Sequence, residues 1–253
     1  MDALNLGARE LVAIVGGGGK TSLCFALADE LQRAGRSVIT TTTTKVWRTE
    51  ADRAPRTIMC RSGALPLEQL QNDMREMGHV FVAQRLLDTG KLEGIRREMA
   101  DALFQKLTVD YLIAEADGAA GRPVKAPAAH EPVIASSVTL VIAVIGMEAL
   151  GMPVDSEMVF RPELFSAITG LAEGETITPA ALARIFLAPN GLFKGTPNSA
   201  RRVVFLNKCD RLTPGQNPGE LLDCLVQDPD ASIERVVIGS LLKSVYKVLI
   251  RRG

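Results

Sequence analysis

A run of four glycines and a lysine, Gly16-Gly17-Gly18-Gly19-Lys20-Thr21-Ser22, lies between an apolar stretch at 11–15 and a helical stripe, and no other segment constrains the fold as much. Glycines let the backbone turn tightly and approach a polyphosphate closely. The amide N–H groups of Gly16, Gly17, Gly18 and Gly19 can then converge on its oxygens at the positive end of a helix. In that reading Lys20 meets the β and γ phosphates, the Thr21 hydroxyl meets a magnesium ion, and Ser22 is the last nucleotide-binding residue of the loop. The helix that follows is marked by Leu23, Leu27 and Leu31 at helical spacing and is stopped by Gly35. A glycine-rich surface turn is the plain alternative, but it requires neither the buried strand before it nor the amphipathic helix after it. A dinucleotide fingerprint fits worse, because Thr21 stands where its last glycine belongs.

The loop departs from the usual spacing. Counting back from Gly19-Lys20 puts Ile14 where the first glycine of Gly-x-x-x-x-Gly-Lys-Ser/Thr would stand, so only a contracted Gly-x-x-Gly-Lys-Thr form matches. Shortened loops of this kind resemble those of Mur ligases.

A length of 253 residues suits one large P-loop nucleotide-binding domain over 1–253, with room for a small inserted element around 146–200. Lysine plus arginine equals aspartate plus glutamate at 29 each, so no global charge points to nucleic acid or an anionic membrane. No apolar run approaches a membrane helix, and the N-terminus lacks a basic leader before a hydrophobic core, which leads to the expectation of a soluble, cytoplasmic protein. Cys24, Cys60, Cys209 and Cys224 are scattered without a Cys-x-x-Cys pair, and only His79 and His130 could join them, which argues against zinc. Cys24 and Cys224 fall in helical patterns, where cysteine is a small buried apolar residue.

Apolar strands alternate with helical patterns along the chain. The strands are read at 11–15, 37–41, 57–60, 79–83, 110–116, 139–145, 202–206 and 235–238, and helices start near Lys20, Leu65, Leu92, Pro179, Pro218 and Leu241. This alternation predicts an α/β chain, a three-layer P-loop NTPase-like fold with a mostly parallel central sheet. Ligands of such sheets bind beyond the carboxyl ends of the strands, so the residues after each strand carry the functional reading.

After the second strand comes Thr40-Thr41-Thr42-Thr43-Thr44-Lys45. Some of these threonines are strand; beyond it, hydroxyls such as that of Thr43 suit magnesium or a γ-phosphate, and Lys45 is a second phosphate cation. After the strand at 110–116 the residues Glu115-Ala116-Asp117-Gly118 supply carboxylates. Asp117 is the first choice to hold magnesium with Thr21, and Glu115 shares the metal or positions a water. An ordinary Asp-Gly turn is the competing reading of Asp117. The proline-stiffened segment from Arg122 to Pro132 reads either as a second ligand site, with Arg122 and Lys125 facing an anion and His130 beside them, or as a rigid connector.

Val203-Val204-Phe205-Leu206 leads into Asn207-Lys208-Cys209-Asp210, the guanine-recognition pattern of GTP-binding proteins. The Asp210 carboxylate would accept the guanine N1–H and 2-amino protons, the Asn207 amide would meet the other edge of the base, and the Lys208 stem would pack on the ring. Adenine lacks that donor pair, so GTP is favoured over ATP. A later strand ends in Gly239-Ser240-Leu241, where a backbone N–H near Ser240 would face the guanine oxygen.

At this point the chain resembles the YqeC-like family, described as accessory proteins of selenium-dependent molybdenum hydroxylases. The resemblance runs over nearly the whole length. It is carried by Val15-Gly16-Gly17-Gly18-Gly19-Lys20-Thr21, the threonine run to Lys45, Gly90-Lys91-Leu92-Glu93-Gly94, Glu115-Ala116-Asp117-Gly118-Ala119, Lys125-Ala126-Pro127 with His130-Glu131-Pro132-Val133, Arg161-Pro162-Glu163 and Asn207-Lys208-Cys209-Asp210. Phe160 stands where relatives are expected to carry histidine and Ala135 where they carry proline. The resemblance implies a nucleotide-dependent role in maturing a molybdenum hydroxylase or its selenium-bearing cofactor, with that client or its cofactor-insertion machinery as partner.

Three classes of function fit these observations: a magnesium-dependent GTPase acting as a maturation factor, an ATP-dependent small-molecule kinase or Mur-like ligase, and a nucleotide-sensing scaffold without turnover. Response to a client, to a metabolite, or to neither separates them.

Overall fold

The computed structural model describes residues 2–60, 65–228 and 232–250. The chain divides into two compact units, one made of Met1–Ile14, Thr21–Gly118 and Val133–Leu140, the other of Val15–Lys20, Ala119–Pro132 and Val141–Gly253. The expected α/β architecture with a mostly parallel sheet is present.

The first unit contains β1 (Glu10–Gly16) as far as Ile14, α1 (Lys20–Arg33) from Thr21, β2 (Val38–Thr42), β3 (Lys45–Trp47), α2 (Arg48–Ala51), β4 (Thr57–Met59), α3 (Leu67–Met77), β5 (His79–Ala83), β6 (Arg85–Leu86), β7 (Lys91–Glu93), α4 (Arg97–Lys106) and β8 (Tyr111–Glu115). Its strands follow the order β1-β8-β2-β5-β4, every pair parallel. Every residue of β1, β2 and β5 is buried. Strands covered on both faces read as continuous apolar runs rather than alternating ones, which is why the sequence marks them plainly.

The helix expected near Leu92 starts later, at Arg97, because 91–93 forms β7 of a small antiparallel sheet, β3-β7-β6. Gly94 brings this element close to the threonine run. Its N–H donates to the Thr44 carbonyl at 2.6 Å, and a Cβ at Gly94 would lie 2.3 Å from the Thr42 carbonyl oxygen.

The second unit holds β9 (Val124–Lys125), β10 (Leu140–Gly146) from Val141, β11 (Val159–Phe160), α5 (Pro162–Thr169), α6 (Pro179–Leu187), β12 (Arg201–Asn207), α7 (Gly219–Gln227), β13 (Ile233–Ser240) and β14 (Val245–Ile250). Its larger sheet is ordered β14-β13-β12-β10, with β12 and β13 parallel and β14 antiparallel to β13. The helix expected near Leu241 is replaced by β14. Val245, Tyr246, Val248 and Ile250 are β-branched or aromatic and favour extended backbone. Among the described residues no helix is long and apolar enough to cross a membrane.

Candidate nucleotide site

Within the second unit, the glycine-rich loop is packed so closely that side chains are excluded from it. Gly16, Gly18 and Gly19 have φ of 100, 66 and 121°. A Cβ at Gly16 would lie 2.2 Å from the Val144 carbonyl oxygen, at Gly17 2.7 Å from that of Arg122, and at Gly18 2.0 Å from the Gly146 nitrogen. The reason is backbone pairing: the Gly17 N–H donates to Val144 O at 2.8 Å and the Gly18 N–H to Arg122 O at 2.9 Å.

This pairing bears on two of the four amides expected to cradle a phosphate. The amides of Gly17 and Gly18 are committed to the Val144 and Arg122 carbonyls. Lys20 is buried, with its ammonium donating to the Gly16 carbonyl at 2.6 Å, so its side chain folds back over the loop.

The Asn207-Lys208-Cys209-Asp210 turn reaches the same loop. Asn207, buried at the end of β12, donates through Nδ2 to the Gly18 carbonyl at 2.8 Å and accepts the Leu241 N–H on Oδ1 at 3.1 Å. Its amide thus holds loop and turn together with one Nδ2 hydrogen and one Oδ1 lone pair, and the second hydrogen and lone pair are what the expected base edge would meet. Lys208, at φ 62°, ion-pairs with Glu148 through its ammonium. Asp210 is exposed, and the Ser240 hydroxyl beside it holds its carboxyl below the usual range. Ser240 is buried and also accepts the Lys243 N–H at 3.2 Å, which fixes the hydroxyl on which Asp210 rests. Cys209 is half-buried, and burial pushes its thiol up to about 11.

In the first unit, the Thr21 hydroxyl donates to Glu115 Oε2 at 2.8 Å. The carboxylate that meets Thr21 is thus Glu115, at the end of β8, where the sequence reading preferred Asp117; Asp117 lies two residues on and is fully buried. Ser22, also in the first turn of α1, is exposed. A hydroxyl and a carboxylate are the hard oxygen ligands that magnesium takes in small number beside waters and phosphate oxygens. Among the described residues no group of three or more histidine, cysteine, aspartate or glutamate side chains is placed to hold a metal by itself.

The threonine run is used mostly for structure. Thr40 shares a 2.9 Å hydrogen bond with His79 Nε2, and burial lowers that imidazole to about 4. Thr41 donates to the Val82 carbonyl at 2.7 Å and Thr42 to that of Glu115 at 3.1 Å. Thr43, a second-site candidate, donates its hydroxyl to Val133 O at 3.2 Å and its N–H to Glu115 O at 3.0 Å. Lys45 is exposed at the start of β3, opposite Glu93.

The second-site reading of 122–132 also changes. Arg122 pairs with Glu157 at 3.0 and 3.2 Å, and fully buried Lys125 pairs with Glu131 at 2.9 Å, so both cations already meet carboxylates. What Arg122 gives the glycine loop is its backbone carbonyl, a contribution without a side-chain signature in sequence. His130 is exposed. Glu131 also pairs with Arg161. Burial would raise its carboxyl, but the hydrogen bonds from Arg161 and Lys125 outweigh burial and hold it at about 2. Phe160, where histidine was expected, lies under the Arg161 guanidinium at 4.6 Å from ring centroid to Cζ.

A family model described as YqeC protein matches residues 12–163. YqeC of Escherichia coli (strain K12) is 37% identical over 242 residues, which cover 94% of this chain and 91% of that protein. Among solved structures, chloroplast FtsY from Physcomitrella patens aligns with a TM-score of 0.43 at 12% identity over 93% of this chain, which spans 61% of the FtsY chain.

Proposed function

The chain belongs to the YqeC family, and we propose that it is a magnesium-dependent guanine-nucleotide-binding protein whose hydrolytic cycle serves the maturation of a selenium-dependent molybdenum hydroxylase or its cofactor. The observation that carries the nucleotide reading is the bond from Asn207 to the Gly18 carbonyl, which joins the Asn-Lys-x-Asp turn to the glycine-rich loop. A glycine turn and an Asn-Lys-x-Asp turn with unrelated structural duties have no need to meet.

Each residue then has a defined task. Lys20, already folded over the loop, exchanges its carbonyl partner for phosphate oxygens. Asp210, set by the Ser240 hydroxyl, accepts the paired N–H donors of guanine. Thr21 and Glu115 would hold magnesium, which supplies charge neutralisation on the phosphates when bound. Buried Asp117 is the remaining acid for orienting that shell. The maturation role is what the family resemblance adds, and the client supplies the trigger for turnover.

Equilibrium titration with GTP and ATP in magnesium, followed by phosphate-release assays, tests this reading. GTP preference that disappears in Asp210→Asn, loss of both nucleotides in Lys20→Ala, and slow release by the isolated chain support it. Preference for ATP, or release stimulated by a small acceptor metabolite, would support the kinase or ligase class in its place.

A further inference from the structure

Glu148 follows β10 in a short 3-10 turn, Met147–Ala149, directly after Gly146, whose backbone closes against Gly18. Its carboxylate takes the Lys208 ammonium on Oε1, while Oε2 is buried without a hydrogen-bond partner. The space is tight: a Cβ at Gly146 would lie 2.2 Å from Oε2. A carboxylate with one orphaned buried oxygen is a poor device for stability, since burial of an unsatisfied acceptor works against folding.

The arrangement does serve another purpose. Lysine is a flexible four-carbon stem ending in a strongly hydrated ammonium, and an unanchored Lys208 would swing into solvent. Held by Glu148, its stem is stretched from the end of β12 toward the end of β10, neighbouring strands of the sheet, with 28% of the side chain exposed. Lys208 also sits in the left-handed region, so the turn depends on its neighbours to keep its conformation.

We propose that Glu148 is a positioning residue for nucleoside recognition, anchoring Lys208 so that the alkyl stem forms a floor for a flat purine ring. The inference deepens the nucleotide reading and rests on it. Neither Glu148 nor its turn carries a sequence pattern that signals this task.

The test uses the full chain and the variants Glu148→Gln, Lys208→Met and the two combined. Calorimetry measures GTP and inorganic tripolyphosphate, each with magnesium. Glu148→Gln should weaken GTP by about tenfold, the loss typical of one charge-assisted contact, and leave tripolyphosphate unchanged. In the Lys208→Met background the second change should cost nothing more, because the two residues act as one unit. A merely structural role would lower both affinities together or the melting temperature alone. Equal losses for GTP and tripolyphosphate, no loss, or additive losses in the double variant would overturn the proposal while GTP binding stands. If Glu148→Gln melts early, Lys208→Met alone must show the GTP-selective loss. A native chain that does not bind GTP overturns the nucleotide reading, and this inference with it.

Discussion

Asn207 Nδ2 lies 2.8 Å from the carbonyl oxygen of Gly18 and donates to it, although 189 positions separate the two residues in sequence. On the other side the same amide accepts the Leu241 N–H. Asn207→Ala would take this partner from the buried Gly18 carbonyl, at about 1–3 kcal/mol for a buried group left unsatisfied, and from the part-buried Leu241 N–H. Thermal unfolding should show a lowered midpoint, and nucleotide affinity should fall with it. An unchanged midpoint would mean the clamp is not formed in solution.

Gly18→Ala should be far more damaging than an alanine at another left-handed glycine. Gly18 combines φ of 66° with backbone atoms of Gly146 only 2.0 Å from a new Cβ, whereas Gly35, at φ of 75°, has nothing within 4 Å. Gly35→Ala should cost about 1 kcal/mol of conformational strain. Gly18→Ala should lose nucleotide binding as well. Equal effects on urea midpoints would contradict the close approach described here.

Glu115→Gln tests the oxygen pair that faces Thr21. The neutral amide keeps a hydrogen bond to the threonine hydroxyl but loses the charge that favours a divalent cation. Nucleotide affinity without magnesium should be retained, while the strengthening by magnesium should shrink by about tenfold, the value of one charge-assisted contact. Comparable titrations of Asp117→Asn show which acid dominates.

The Glu131 cluster sets a pH dependence. Its carboxyl is held at about 2 by Arg161 and Lys125, below the ordinary value of roughly 4.3 in an unfolded chain. A depressed pKa means that the stabilisation is complete above the unfolded value and is lost as pH falls from there through about 2. Glu131→Gln should lower stability near neutrality, because it removes the carboxylate that buried Lys125 and Arg161 share. Denaturation midpoints of native chain and variant should draw together as pH falls from roughly 4.3 toward about 2; a constant gap would contradict the assignment.

Some of this was legible in the sequence and some was not, for physical reasons. The buried strands and α1 could be read because continuous apolar runs and the Leu23, Leu27, Leu31 stripe report burial directly. The strand β14 was misread as helix since its exposed apolar residues, Val245 and Ile250 among them, lack a one-sided pattern. Residue types in the site were legible, but not what each would touch. Asn207 and Arg122 act on protein backbone, one through its amide and the other through its carbonyl, and a motif does not distinguish ligand from backbone as partner. Lys125 looked like an anion receptor because its partner, Glu131, is brought to it by the fold of the loop. Glu148 had no pattern at all; its place is defined only by Lys208, 60 positions away.

The most direct measurement is the affinity of the native chain and of Asp210→Asn for GTP and for xanthosine triphosphate in magnesium. A carboxylate at 210 accepts the N1–H and 2-amino protons of guanine, while an amide there can donate to the 2-oxo group of xanthine. The expected result is that the native chain prefers GTP and the variant loses that preference in favour of xanthosine triphosphate. If both proteins bind the two nucleotides alike, Asp210 does not read the base and the guanine-nucleotide account fails.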